Sequence, residues 1–470
     1  MCVCVCRGRN NEGYSECPHL TGELAHAVVT GMQGEDERYL QIVAGCKHYV
    51  PYDGNALTAA SDFDLFSTYL LGFKRCMEAE GPAWKGAMNV MCSYTEQHSA
   101  GTSAGTNSCT NSRILDTILK QRYNFSGFVI SDLGAVDGST AASIAAGMDV
   151  YLGQGPNGQE VRSWLASGKL TEARLDDAVS RTLLPRFLEG EFDPPSMVPY
   201  WDQSKFGCDR VGASEHHQLA YEAAVQSLVL LRNDGILPLA KQGLKVAVIG
   251  PFGTHARWMY NRYSHVPATD SPLLVSLAQA MTSALGSAQV TSAAGCSDVA
   301  TTTACLTLDT ASVKTAEKDA DVLVYAVGTG EPIESETSNG SSGPAGATLQ
   351  LPGQQEALIE AGLATGKKVV VVLFTASPKA GAWMSKAHAV VHAAYPQMKG
   401  AQAVTDALLG DAQFSGRLAT TWPQHWSCNA SYPAHPPRWS PAACEVVPAR
   451  LLGSNVTYRY GATNVLYPFG

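Results

Sequence analysis

The sequence has no basic cluster, no apolar run of membrane-spanning length and no pair of Cys-x-x-Cys elements. Its 33 lysines and arginines are outnumbered by 42 aspartates and glutamates, giving a formal net charge of −9. That balance argues against nucleic acid and anionic membrane as partners. The longest apolar runs, such as Lys368–Phe374, fall far short of the roughly 20 residues a transmembrane helix needs. Without Cys-x-x-Cys spacing there is no zinc-site signature, and no metal is expected. No internal repeat is visible. The opening residues Met1-Cys-Val-Cys-Val-Cys-Arg7 have neither the long apolar stretch nor the small-residue cleavage site of a signal peptide.

What is present points to a large globular chain. Its 470 residues, 45% of them hydrophobic, suffice for two or more domains. Thirteen cysteines are many for a cytosolic enzyme, and their spacing suggests pairs. Cys92 and Cys109 bracket a Ser/Gly/Thr-rich loop, Cys296 and Cys305 another, and Cys428 and Cys444 a Pro-rich one. Cys46 and Cys76 flank a predicted strand–helix unit. Structural disulfides are the better reading of this set. Glycosylation tripeptides begin at Asn124, Asn339, Asn429 and Asn455. Both features favour a secreted or vacuolar location.

The two halves differ in texture. Between residues 20 and 185, strands are expected at Ile42–Cys46, Ala87–Cys92, Gly127–Ile130 and Asp149–Leu152. Helices are expected at Leu24–Met32, Asp64–Glu78, Ser112–Arg122, Ala141–Ala146 and Glu172–Leu184. Alternation of this kind implies a parallel sheet or barrel. Residues 190–212, rich in proline and aromatics, read as a linker. The following half has strands at Lys245–Ile249, Val322–Val327, Val369–Phe374 and Ala389–Ala394. Helices are expected at His217–Arg232, Leu273–Ser283, Gln354–Ala364 and Ala401–Leu409, the texture of a doubly wound α/β domain. The expected division is therefore 1–189, 190–212 and 213–470. Residues 337–347 form a low-complexity loop.

Chemistry-bearing residues cluster after predicted strands. Gly127-Phe-Val-Ile-Ser-Asp132 is an apolar strand ending on one carboxylate. Such folds keep their chemistry at strand carboxyl ends. A helix N-cap fits the same residues, because Ser-Asp before small residues can start a helix. Lys47-His48 follows another predicted strand; a surface turn is the plainer reading. Tyr94 follows a third, where a core aromatic is the plainer reading. Val327-Gly-Thr-Gly-Glu-Pro-Ile-Glu-Ser-Glu336 is an acidic loop, which by itself reads as solvated charge.

Gly127-Phe-Val-Ile-Ser-Asp-Leu-Gly-Ala-Val136 resembles the nucleophile segment of glycoside hydrolase family 3. Val90-Met-Cys-Ser-Tyr94 is similar to that family's V-M-C-S-Y-N, and Gly8-Arg-Asn-Asn-Glu-Gly-Tyr14 to its G-R-N-x-E-G-(F/Y). The acidic loop with Leu351-Pro-Gly-Gln-Gln355 resembles I-E-x-E…L-P-G-x-Q. Ala223–Pro238, Tyr395–Pro423 and Tyr467-Pro-Phe-Gly470 resemble C-terminal family segments, so the likeness runs from about Arg9 to Gly470. The resemblance implies a (β/α)8 TIM-type barrel, here partial, followed by an α/β sandwich domain. It implies a retaining exo-acting β-glycosidase with Asp132 as nucleophile and Glu336 as acid/base, Glu334 being the fallback. Arg9, Lys47, His48 and Tyr94 would bind the sugar. No cofactor is implied; the partner is a glycoside or oligosaccharide substrate, and the oligomeric state is left open.

The cysteine pattern looks most like the plant and fungal β-xylosidase branch, which implies xylan breakdown. An N-acetylglucosaminidase is disfavoured, since those resemble K-H-F-P-G-x-G where this chain reads Lys47-His-Tyr-Val-Pro-Tyr-Asp53. Leu133 stands where many family β-glucosidases have tryptophan and many xylosidases cysteine. The family's D-R after the acid/base is missing. A complete barrel takes about 250 residues, more than the barrel-like part offers, so truncation at both ends is expected, with doubtful activity for this chain. The alternative function is a non-catalytic carbohydrate-binding remnant.

Overall fold

A computed structural model describes residues 12–50, 57–58, 62–79, 85–94, 96–97, 106–136, 138–153, 158–260, 263–330, 333, 349–424 and 465–470. Their contacts divide them into two compact units, 12–211 and 212–424 with 465–470.

In the first unit, strands β1 (Gly45–Tyr49), β2 (Asn89–Cys92) and β3 (Phe128–Ser131) lie parallel in that order. A single parallel bridge, Ile130 to Val150, continues the sheet where a whole strand was expected over Asp149–Leu152. Parallel neighbours need crossovers. Helix Leu70–Met77 supplies one, and the π-wound helix Arg113–Arg122 supplies the next. Helices Thr140–Ala146, Gly158–Ala166 and Glu172–Leu188 follow β3. The core gathers Leu65, Leu70, Phe73, Val90, Ile114, Leu115, Val129 and Met148. Gly127 admits β3 to the sheet, since any Cβ there would strike the Met88 carbonyl.

Three local expectations are corrected. The strand read at Ile42–Cys46 begins only at Gly45 and runs through Lys47 and His48. Residues 40–43 instead bond to the end of a later helix, Leu40 N–H to the Leu188 carbonyl and Val43 N–H to Glu189 Oε1. Helix Glu172–Leu188 passes over Pro185 rather than stopping before it. The segment read as a linker is pinned to the first unit. Asp193 Oδ2 accepts from Tyr39 Oη at 2.7 Å and Arg38 Nη2 at 3.1 Å, and the Asp36 N–H donates to Tyr200 Oη at 3.1 Å.

The second unit carries a six-stranded sheet. Its strands are β4 (Val229–Asn233), β5 (Val246–Ile249), β6 (Val290–Ala293), β7 (Val322–Gly328), β8 (Lys368–Phe374) and β9 (Ala389–His392). The spatial order is β4-β9-β8-β7-β5-β6, parallel except for β4 at the edge. The helix expected through Arg232 ends at Ser227, and Val229-Leu-Leu turns extended as that edge strand. Every residue of β7 is buried. Val322, Val324 and Ala326 face a core with Phe252, Met281 and Leu408, while Leu323, Tyr325 and Val327 face one with Ile359, Trp383 and Trp422. Helices cover both faces, as a parallel sheet requires. From β5 the chain adds β6 on one side and then returns to add β7 on the other. This is the reversal of strand order beside which such sheets bind ligands.

The Cys46–Cys76, Cys92–Cys109 and Cys296–Cys305 disulfides are present; Cys428 and Cys444 lie outside the described residues. Among the described residues no helix is long and apolar enough to cross a membrane, and no group of three or more His, Cys, Asp or Glu side chains is placed to hold a metal ion.

Candidate active site

The carboxyl ends of β1, β2 and β3 bring four of the expected residues together in the first unit. Asp132 directly follows β3, its N–H bonded to the Cys92 carbonyl at 3.2 Å. No helix begins there; the next starts at Thr140, capped by Ser139. The Asp132 side chain is therefore free of capping duty. Its Oδ1 accepts the Leu133 N–H at 2.7 Å, and Oδ2 lies 3.0 Å from His48 Nε2.

His48 reaches Asp132 because β1 breaks register where it stands. Lys47 pairs with Met91 and Tyr49 with Cys92, so His48 falls outside the ladder and its imidazole is completely buried. Lys47 keeps its ammonium partly in solvent and pairs with Glu12 at 3.1 Å. Sequence reasoning passed over Glu12, although it is the glutamate of the Gly8-Arg-Asn-Asn-Glu segment and that position was the available signal.

Tyr94 packs as a core aromatic and also reaches the segment beside the carboxylate. Its ring packs against the core, and its hydroxyl donates to the Leu133 carbonyl at 2.9 Å. Leu133 is thus held at both backbone groups while its side chain stays 65% exposed beside the carboxylate.

Burial alone raises the Asp132 pKa. The hydrogen bond and charge of His48, with smaller contributions from the Leu133 amide and Tyr94, more than offset that, and the net shift is below the ordinary aspartate value. An accessible carboxylate kept ionised beside hydrogen-bond donors is equipped to attack an electrophilic carbon.

Both neighbouring strand ends are stapled. Cys46 precedes Lys47 and is bonded to Cys76 on helix Leu70–Met77. Cys92 precedes Ser93-Tyr94 and is bonded to Cys109. Behind the site, the side chain of Asp149 is fully buried. It accepts from Lys120 Nζ at 2.7 Å, from Arg174 and from the Val129 N–H at 2.8 Å, which ties helix Glu172–Leu188 to β3.

Arg9, Glu334 and Glu336 lie outside the described residues. The root of the loop with the two glutamates is described, within the second unit. Gln355, fully buried, accepts the Gly328 N–H at 2.8 Å and donates to the carbonyls of Thr303 at 2.7 Å and Gly328 at 2.8 Å. Thr329 Oγ1 lies 3.1 Å from both Thr375 Oγ1 and Tyr395 Oη. The loop therefore leaves β7 from a fixed, internally bonded platform.

Known proteins place this architecture. Residues 5–184 match the glycosyl hydrolase family 3 N-terminal domain, and residues 228–470 match the glycosyl hydrolase family 3 C-terminal domain. The chain belongs to glycosyl hydrolase family 3. It is 30% identical to beta-xylosidase/alpha-L-arabinofuranosidase 2 of Medicago sativa subsp. varia and 28% identical to beta-D-xylosidase 3 of Arabidopsis thaliana. Each alignment covers 88% of this chain and 54% of the relative. Among solved structures, a GH3 exo-beta-xylosidase bound to a xylobiose aziridine probe is 27% identical, with a TM-score of 0.74 over 89% of this chain and 54% of that one. The chain spans about half the length of the curated relatives it matches.

Proposed function

We propose that the protein is a retaining exo-acting β-glycosidase that removes terminal β-xylosyl residues, ahead of β-glucosyl, from oligosaccharides or glycosides. The observation that carries this reading is the Asp132 carboxylate, held ionised by His48 at the mouth of a parallel βα sheet. Asp132 attacks the anomeric carbon and forms a glycosyl-enzyme. Glu336, with Glu334 as the fallback, protonates the departing oxygen and then activates water. Lys47, His48, Tyr94 and Arg9 hold the sugar hydroxyls, and no cofactor enters the scheme. The cysteine framework and the printed activities of the relatives support a xyloside preference. The disulfides support a secreted or vacuolar location.

The test is covalent labelling of the full chain with activated 2-fluoro-xyloside and 2-fluoro-glucoside. One label on the peptide containing Ser131-Asp132 is expected, formed faster by the xyloside. Labelling of a different carboxylate would remove Asp132 as nucleophile. Reversible binding without any label would favour a carbohydrate-binding role.

A further inference from the structure

Of the four glycosylation tripeptides, Asn124-Phe125-Ser126 lies among the described residues. Tyr123 caps helix Arg113–Arg122, and Asn124 follows with φ at 52°, in the left-handed region that asparagine tolerates better than most residues. Asn124 is exposed, and no described residue holds its side-chain amide in a hydrogen bond. The rest of the tripeptide is less open, Phe125 being buried and Ser126 half-buried. Phe125 is 4% exposed and belongs to the core, and the Ser126 hydroxyl donates toward the Met88 sulfur at 3.8 Å. Folding thus engages the hydroxyl a glycosyl transferase must recognise and buries the residue before it, while leaving the amide outside.

Beside Asn124 lies a cleft of about 300 Å³ whose walls include Lys74, Met77, Glu78, Arg122 and Tyr123. Ala87 and Ser126 also line it, so it opens at the amino-terminal ends of β2 and β3. The Asp132 site is at the opposite ends of the same strands. Thioether and aromatic surface next to ammonium, guanidinium and carboxylate groups suits a sugar ring, which presents an apolar C–H face edged with hydroxyls.

We propose that Asn124 carries an N-linked glycan, attached before the unit folds, whose first N-acetylhexosamine seats in this cleft. In the attachment step the Asn124 amide nitrogen bonds to the anomeric carbon of an oligosaccharide carried on a polyprenyl diphosphate. The carbon–oxygen bond to the diphosphate breaks, the lipid diphosphate leaves with the bonding pair, and the amide proton passes to a base of the transferase. The Cys46–Cys76 and Cys92–Cys109 disulfides of the same unit call for the oxidising compartment in which such donors are used. The glycosidase reading has no part in this inference.

The experiment directs the full chain into the secretory pathway of a eukaryotic host, in an Asn339→Gln, Asn429→Gln, Asn455→Gln background. Peptide mass mapping should find an N-acetylhexosamine-based glycan on Asn124, lost in Ser126→Ala. Secreted protein with a bare Asn124 overturns the proposal. Trimming the glycan to its first sugar should leave Tm unchanged. Complete removal by a peptide amidase, which leaves aspartate, should lower it by about 2–4 °C. An equal fall after both treatments, or none after complete removal, overturns the seating of the first sugar.

Discussion

His48 Nε2 stands 3.0 Å from Asp132 Oδ2, with the imidazole wholly buried and the carboxylate side chain 15% exposed. The pair joins β1, where the register breaks, to the end of β3, and it decides the ionisation of the proposed nucleophile.

The acid side of the pH–rate profile follows from that pair. Burial pushes the Asp132 carboxyl up, but His48, the Leu133 amide and Tyr94 bring it below the ordinary aspartate value. A depressed folded-state pKa stabilises the fold above the unfolded-state pKa, and this contribution is lost as pH falls through the folded value. Turnover needs the carboxylate, so the acid limb of kcat/KM should also lie below the usual aspartate range. His48→Gln should move that limb upward. If wild type and variant lose activity at the same acidic pH, His48 does not set the ionisation.

Glu336→Ala should separate substrates by leaving group. General acid catalysis is worth about 10²–10⁴-fold, and alkyl xylosides need it far more than activated aryl xylosides. Added azide should partly restore turnover on the aryl substrate. Should Glu334→Ala show this pattern while Glu336→Ala does not, the assignment moves by two residues.

The cluster behind the site should matter for stability rather than chemistry. Asp149 is the buried anion shared by Lys120 and Arg174. Removing one member of a buried ion pair leaves uncompensated charge and costs about 3–5 kcal/mol. Asp149→Ala should therefore unfold at markedly lower denaturant concentration, as followed by circular dichroism. A midpoint within error of wild type would show that the arginine and lysine find solvent or other partners.

Much of this was legible because parallel strands buried on both faces read as apolar runs that end on chemistry, as Phe128–Ser131 ends on Asp132. Cysteine spacing likewise anticipated three bonded pairs. Other features were hidden where tertiary contacts override local pattern. Ile42–Val43 look like strand, but Val43 bonds Glu189 and Leu40 just before them bonds Leu188. Val229–Asn233 continue a helical texture yet turn extended to pair with β9. The burial of the Glu12 carboxylate against Lys47 exists only in the fold, because the residues are brought together by packing rather than by spacing.

The loop closed by Cys92–Cys109 should control Tyr94. Asn107 Nδ2 donates to the Ala135 carbonyl at 3.0 Å, Ser93 Oγ to Ser108 Oγ at 3.0 Å, and Ser108 Oγ to the Val50 carbonyl at 3.3 Å. Segments beyond all three strand ends are thereby tied to one short turn, and the disulfide holds that turn to β2. The sequence separation is 17 residues, for which loop-closure entropy is worth about 3 kcal/mol. The double variant Cys92→Ser, Cys109→Ser should lose roughly that much stability. Below its melting range it should also show a lower kcat/KM on xylosides, because Tyr94 no longer braces Leu133 and the Asp132 carboxylate. Reduced stability with unchanged kcat and KM would mean that the turn keeps its place without the bond and that the disulfide serves the fold alone.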